Sequence, residues 1–341
     1  MSLKEQVDAA RQEHYPHIAR LMDRVFAGQV DVLLQRMCRY QLTSGGKRLR
    51  AVVPVLVAEV LGAAPEQIYH FAAACEMLHN ATLVHDDVQD EDYVRRNRAT
   101  VWAMWNKAQA INLGDAMFFF GSLLLHELDT TPSIRLKILK EYAECATRVI
   151  SGQVEEFKLK DDDSLRLADY FAMVEKKTSA LFSLPLVGTA QLVRAPGSLE
   201  GGLAKAALHL GVIFQIQDDL LDLWGDKGRD QPGSDIREGS ISILAAHALC
   251  TAPKPLRQRL KTILQLPRSQ TTPEFVAEAT AIFERVGSRD HALEEIRLRQ
   301  VQIERIRRLA KYPRMQELVV NLGAVFTAPI GHLFSGATES A

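Results

Sequence analysis

The chain has little of what most catalytic chemistries need. Its four cysteines, Cys38, Cys75, Cys145 and Cys250, are scattered through 341 residues with no metal-type spacing. They read as reduced thiols of a cytoplasmic protein, not as a disulfide framework. No charge of one sign dominates, because 41 basic and 42 acidic side chains leave a net charge of −1. Bulk electrostatics therefore point to no nucleic acid and to no anionic membrane. No apolar leader segment follows Met1-Ser2-Leu3-Lys4-Glu5-Gln6. The apolar run from Ala51 to Leu61 is too short to span a bilayer and carries Glu59, so no transmembrane segment is expected. There is no Ser/His/Asp or Cys/His set, no P-loop and no dinucleotide fingerprint. Those absences disfavour covalent nucleophilic catalysis and nucleotide chemistry.

What remains is an ordinary soluble composition, 47% hydrophobic and 24% charged, with enough apolar residues for a sizeable core. Strand alternation is scarce. Apolar spacing predicts helices over roughly 3–27, 29–42, 48–61, 65–90, 99–108, 111–129, 132–158, 164–193, 200–223, 240–250, 255–265, 273–286, 288–311 and 312–333. Gly45-Gly46, Gly62, Ala195-Pro196-Gly197 and the stretch from Gly225 to Gly233 punctuate the pattern. Residues 1–335 are expected to form one domain, with a disordered tail over 336–341. The longest candidate functional loop runs from Gly225 to Gly239.

Two acidic clusters of one form stand far apart. Asp86-Asp87-Val88-Gln89-Asp90 and Asp218-Asp219-Leu220-Leu221-Asp222 both read D-D-x-x-D inside helical patterns. The first and last Asp of each lie one turn apart on the same face, where like charges repel. Divalent metal relieves that repulsion. Mg²⁺ takes one or two protein carboxylates and completes its shell with water and substrate phosphate oxygens. A phosphorylated substrate also needs cations. Gly45-Gly46-Lys47-Arg48-Leu49-Arg50 sets a basic turn at the start of a helix, Arg95-Arg96 follows the first cluster, and Lys176-Lys177-Thr178 lies in a long helix. His79 precedes the first cluster on its own helix, and His85 adjoins Asp86.

In order, these motifs closely resemble the trans-isoprenyl diphosphate synthases, the polyprenyl synthetase family. The resemblance rests on Gly45 to Arg50, His79 to Glu91, Arg95-Arg96, Gly114-Asp115, Lys177-Thr178, Phe214 to Asp222 and Gly233 to Gly239. It implies an all-α fold, an antiparallel helical bundle around a deep apolar cavity, assembled as a homodimer. It implies that Asp86, Asp87, Asp90, Asp218, Asp219 and Asp222 hold about three Mg²⁺ on an allylic diphosphate, with Arg95, Lys177 and Gln215 assisting. Lys47, Arg50, His79 and Arg96 would hold isopentenyl diphosphate. Thr178 and Gln215 would stabilise an allylic cation by their dipoles. The allylic primer would be dimethylallyl, geranyl or farnesyl diphosphate.

The chain departs from the family pattern at three places. Asn97 stands where Gly is usual after Arg96, and Asn is the next-best residue for a left-handed backbone. Ala99 replaces a common Pro. In the proposed lid, Gly228-Arg229-Asp230-Gln231-Pro232 and Ser240 stand where the family carries two lysines; Arg229 or Lys227 offers one substitute cation. Product length depends on residues before the first cluster. In the family, aromatics four or five positions before the first Asp block the channel; here those positions are Thr82 and Ala81, with Leu78 and Cys75 deeper. Phe118 and Phe119 on the following helix are the candidate caps, set against ordinary core packing. The open floor implies a product of geranylgeranyl length or longer. A non-catalytic subunit of a heteromeric synthase and a class I terpene cyclase are the alternatives.

Overall fold

Apolar spacing becomes helix nearly everywhere it is predicted. The computed structural model describes residues 3–225 and 232–335. The 336–341 tail and the lid residues Lys227, Gly228, Arg229 and Asp230 lie outside them. The described residues form helices and a single two-stranded hairpin, so the all-α class holds. The chain divides into two compact units. One comprises residues 1–149, 180–207 and 306–321, the other residues 150–179, 208–305 and 322–341.

The first unit is built on α1 (Leu3–Phe26), α2 (Val32–Leu42), α3 (Leu49–Val60) and α4 (Tyr69–Gln89). After a hairpin come α5 (Val101–Met104), α6 (Lys107–His126) and the start of α7 (Pro132–Leu159). α4 is its axis and packs on α1, α3 and α6. The run Ala72-Ala73-Ala74-Cys75 is buried and lets neighbouring helices approach closely. Ile18, Met22, Phe26, Val55, Phe71, Leu78, Leu113 and Phe120 form the core around it. Each such side chain contributes about 1.5–3 kcal/mol by leaving water. By length and composition alone α6 is apolar enough to cross a membrane, as is Pro313–Phe334. A core helix passes the same test, and α6 lies along α4.

The predicted helix over 99–108 is corrected. β1 (Val94–Arg95) and β2 (Arg98–Ala99) pair antiparallel, Val94 opposite Ala99. Arg96 and Asn97 close the turn with φ of 54° and 57°. Positive φ at both central residues is what a two-residue hairpin requires, and Asn97 meets it without glycine. Within the predicted span, helix forms only as the short α5 at Val101–Met104, and α6 starts after it, where the Asn106 side chain accepts from the Gln109 N–H at 2.9 Å.

In the second unit α8 (Leu167–Val174) passes into a π-helical turn at Glu175–Ser179. The predicted helix over 164–193 is therefore not continuous. In the first unit it proceeds as α9 (Ala180–Ser183), a second π turn at Leu184–Gly188 and α10 (Thr189–Leu192). Pro185 lies in that second turn and has no N–H to donate. α11 (Gly197–Trp224) contributes to both units. The second unit adds α12 (Ser234–Glu238), α13 (Ile243–Thr251), α14 (Lys254–Leu264), α15 (Pro273–Arg285) and α16 (Ser288–Glu304), in which α13 packs on α8 and α16. The helix predicted to reach residue 311 stops at Glu304, and a 3-10 turn at Leu309–Lys311 precedes α17 (Pro313–Thr327) and α18 (Gly331–Ser335).

Candidate active site

The first unit places acids and cations side by side. α4 ends at the first aspartate cluster. Asp86 and Asp90 are half-buried, whereas Asp87 is 2% exposed and turned inward. Burial pushes its carboxyl up to about 6, although the Arg95 guanidinium hydrogen-bonds it and pulls the other way. Arg95 also lies 3.7 Å from Asp92, which is buried. Arg96, its neighbour across the hairpin turn, points elsewhere. Arg96 Nη1 donates to the Gly45 carbonyl at 2.6 Å.

That contact depends on Gly46. A Cβ there would stand 2.7 Å from Arg96 Cζ and Nη1, and the backbone φ is +103°. Only glycine combines that conformation with the space for a guanidinium. Lys47 is exposed on the same loop. Arg50 is buried, its guanidinium 4.1 Å from the centroid of the Phe182 ring. Arg48 has a structural role. It donates to buried Glu76 at 3.0 Å, and Asn80 reaches the same oxygen at 3.2 Å. A buried pair of this kind costs several kcal/mol if one partner is removed.

His79 sits among these cations. Burial, and the fields of Arg50, Arg96, Arg95 and Arg48, hold its imidazole well below the ordinary value. It is therefore neutral at physiological pH, and its buried Nδ1 has no hydrogen-bond partner among the described residues. His85 instead faces α6, where Gly114 makes room for its ring and Asp115 lies 3.4 Å from Nε2.

The second unit organises the other cluster as a hydrogen-bonded chain. Thr178 Oγ1 donates to Gln215 Oε1 at 2.7 Å, and Gln215 Nε2 donates to Asp219 Oδ1 at 2.9 Å. Asp219 Oδ2 accepts from the Tyr170 hydroxyl at 2.9 Å and the Ile243 N–H at 2.8 Å. Burial and the Asp219 charge hold the Tyr170 phenol well above its ordinary value, so it stays a donor. Asp222 accepts from the Ser234 hydroxyl and, at 3.0 Å, from the Asp235 N–H. Asp218 is half-buried. Lys177 pairs with Glu156, and Lys176 with Glu155, across the π turn. Lys160 Nζ donates to the Glu238 carbonyl at 3.0 Å.

The six aspartates thus differ in setting. Asp86, Asp90 and Asp218 are half-buried; Asp87, Asp219 and Asp222 are buried, and each accepts a hydrogen bond from a neighbouring side chain. Among the described residues no three His, Cys, Asp or Glu side chains form a ready-made metal cage. A hard oxygen set with Asp86 and Asp90 one turn apart suits a Mg²⁺ whose shell is completed by phosphate. Three residues that contact motif side chains carry no sequence motif of their own: Tyr170 on Asp219, Glu156 on Lys177 and Phe182 under Arg50. Gln153 is 7% exposed, with both ends of its amide unpartnered among the described residues. Only the burial of an amide on an otherwise apolar helical face would have flagged it.

The product-length candidates on α4 share one shielded environment. Cys75, Leu78, Ala81 and Thr82 are all buried. Phe120 packs in the core, 5.8 Å from the Phe26 ring. Phe118 lies half-buried, 5.7 Å from the His85 ring, and Phe119 is 71% exposed.

The polyprenyl synthetase family matches residues 31–283. The chain is 36% identical over 217 residues to a geranylgeranyl pyrophosphate synthase of Geoglobus acetivorans, covering 63% of this chain and 68% of that one. It superimposes on geranylgeranyl pyrophosphate synthetase from Pyrococcus horikoshii with a TM-score of 0.82 at 26% identity, covering 96% and 99% of the two chains. A Corynebacterium glutamicum geranylgeranyl pyrophosphate synthase, solved with isoprenyl diphosphate and magnesium, shares the fold with a TM-score of 0.80 at 20% identity, covering 97% and 99%. Acidic helix end, arginine-lined loop and matched motifs lead to one conclusion: the chain belongs to the polyprenyl synthetase family and is a trans-prenyltransferase.

Proposed function

We propose that this protein condenses isopentenyl diphosphate head-to-tail with an allylic diphosphate, giving an all-trans product of geranylgeranyl length or longer. The observation that carries the reading is Arg95 hydrogen-bonded to Asp87 at the acidic end of α4, with its neighbour Arg96 held on the glycine loop at the Gly45 carbonyl. Cations and acids in such proximity make sense for an anionic substrate that arrives with divalent metal. The relatives named above support a geranylgeranyl-length product.

Lys47, Arg50, Arg96 and neutral His79 hold isopentenyl diphosphate. Arg95, Lys177 and Gln215 serve the allylic diphosphate. Asp86, Asp87, Asp90, Asp218, Asp219 and Asp222 would hold Mg²⁺, about three ions in all, with Asp87, Asp219 and Asp222 oriented by hydrogen bonds from neighbouring side chains. Mg²⁺ held there would supply positive charge that offsets the charge developing on the diphosphate. The allylic C–O bond breaks with its electron pair leaving on the diphosphate. The isopentenyl double bond supplies the pair for the new C–C bond. The departing pyrophosphate takes the proton then lost. Thr178 Oγ1 and the Gln215 amide favour the cation through their dipoles without attacking it.

The chain acts as one isoprenoid synthase domain in a cytoplasmic homodimer. Ile111, Phe119 and Leu123 form an exposed apolar stripe on α6, a face suited to a second copy. Incubating the protein with Mg²⁺, isopentenyl diphosphate and dimethylallyl, geranyl or farnesyl diphosphate tests the reading by product chromatography. Elongation without any partner supports it. A cyclic hydrocarbon formed without isopentenyl diphosphate, or no product at all, overturns it.

A further inference from the structure

The near-zero net charge conceals a segregated one. Between Glu304 and Glu317 the sequence holds Arg305, Arg307, Arg308, Lys311 and Arg314 and no acid. With a net charge of −1 for the whole chain, removing these five cations leaves −6 for the rest (−1 − 5 = −6). In the first unit Arg307, Arg308, Lys311 and Arg314 are all exposed. Among the described residues none of them lies in an ion pair.

The segment is held in place, not trailing. Leu309 is fully buried, Ile306 is 7% exposed, and the Tyr312 hydroxyl lies 3.1 Å from that of Ser198. The Arg308 guanidinium lies over Gly201 of α11. Lys205, one turn along the same face of that helix, is also exposed and adds a fifth cation. The result is a basic segment fixed by these contacts, whose Arg314 also lines a pocket with Glu13, Glu59 and Glu317.

We propose that this surface docks the enzyme on an anionic phospholipid bilayer. Basic clusters are attracted to anionic headgroups, with a gain of about fivefold in affinity per cation near the surface. The choice of bilayer over nucleic acid rests on the proposed function: a product with a long hydrocarbon tail and a diphosphate head partitions into a membrane. Delivery is shortened if the enzyme already rests there.

The test is flotation of the purified full chain with vesicles of phosphatidylcholine alone and of phosphatidylcholine mixed with phosphatidylglycerol. The protein is expected to float with the mixed vesicles only, and to be released at high salt, where screening shortens the reach of the charges. The fourfold variant Arg307→Gln, Arg308→Gln, Lys311→Gln, Arg314→Gln is expected to lose affinity by several hundredfold, about fivefold for each cation. Its melting temperature and its activity on a short, soluble allylic primer stay unchanged. The matching Arg→Lys variant, which keeps the charge, floats like the wild type. No flotation of the wild type, equal flotation of the glutamine variant, or displacement by a low concentration of RNA overturns the proposal. Flotation by a protein that shows no prenyl transfer leaves the docking surface intact and removes the proposed reaction instead.

Discussion

Replacing Gly46 by alanine separates backbone strain from displacement of a substrate-binding cation. The new methyl would lie 2.7 Å from the Arg96 head group, at a backbone φ of +103°. The strain term is about 1–2 kcal/mol for a left-handed L-residue. The guanidinium is the far end of a flexible chain and moves aside, which breaks its 2.6 Å bond to the Gly45 carbonyl. A hydrogen bond to a charged group is worth about 1.5–3 kcal/mol. If Arg96 holds isopentenyl diphosphate, that loss raises KM for this substrate by about ten- to hundredfold. Gly45→Ala is the control. Gly45 has a φ of +81°, but a methyl added there meets nothing within 4 Å, so its variant carries the strain and leaves Arg96 in place. Steady-state kinetics on both variants, with each substrate varied in turn, decide the matter. Equal KM values for isopentenyl diphosphate in the two variants would refute the reasoning. So would an equal rise in KM for the allylic primer.

The remaining predictions concern the aspartates, the lid and the channel. Folded Asp87 is raised to about 6, against ~3.9 unfolded. The folded state holds the extra proton between those values, so stability present below about pH 4 is lost as the pH rises through about 6. In metal-free melting, wild type should lose stability relative to Asp87→Asn across that window; a constant difference refutes the shift. Tyr170→Phe removes one donor to Asp219 and should raise the Mg²⁺ needed for half-maximal activity by about ten- to hundredfold, as losses behind a metal ligand do; an unchanged Mg²⁺ titration refutes it. Ser240→Lys restores a lid cation and should tighten allylic diphosphate binding by about tenfold, measured as KM; no gain removes the significance of that departure. Ala81→Phe and Thr82→Phe should shorten the product seen by chromatography, and unchanged chain length would mean the tail avoids this face of α4.

Much of the site was legible because its acids are contiguous. Asp86 to Asp90 and Asp218 to Asp222 announce themselves at helical spacing, and Asn97 was readable as a left-handed residue. What the acids do individually was not legible. Asp219 is held by Tyr170, 49 positions away, and by Ile243, 24 positions away. No local pattern encodes such contacts. Arg48 and Arg50 look alike in a basic turn, yet one neutralises buried Glu76 and the other lies on Phe182. The hairpin escaped because its strands are only two residues each, too short for alternation to register. The π turn at Lys177 escaped because a one-residue widening leaves apolar spacing almost intact.

The hairpin couples two cations that face different parts of the first unit. Arg95 and Arg96 are neighbours in sequence, yet one is tied to Asp87 on the acidic helix and the other to the Gly45 carbonyl on the glycine loop. A tight turn with both central residues left-handed has almost no internal slack. The two guanidinium groups therefore travel as the two ends of a short bar. Any tilt of the hairpin that draws one inward swings the other with it. If Arg95 and Arg96 serve the two diphosphates as proposed, the spacing between electrophile and nucleophile is set by backbone geometry, and a loop insertion of one residue here would uncouple them while leaving every charged side chain in place.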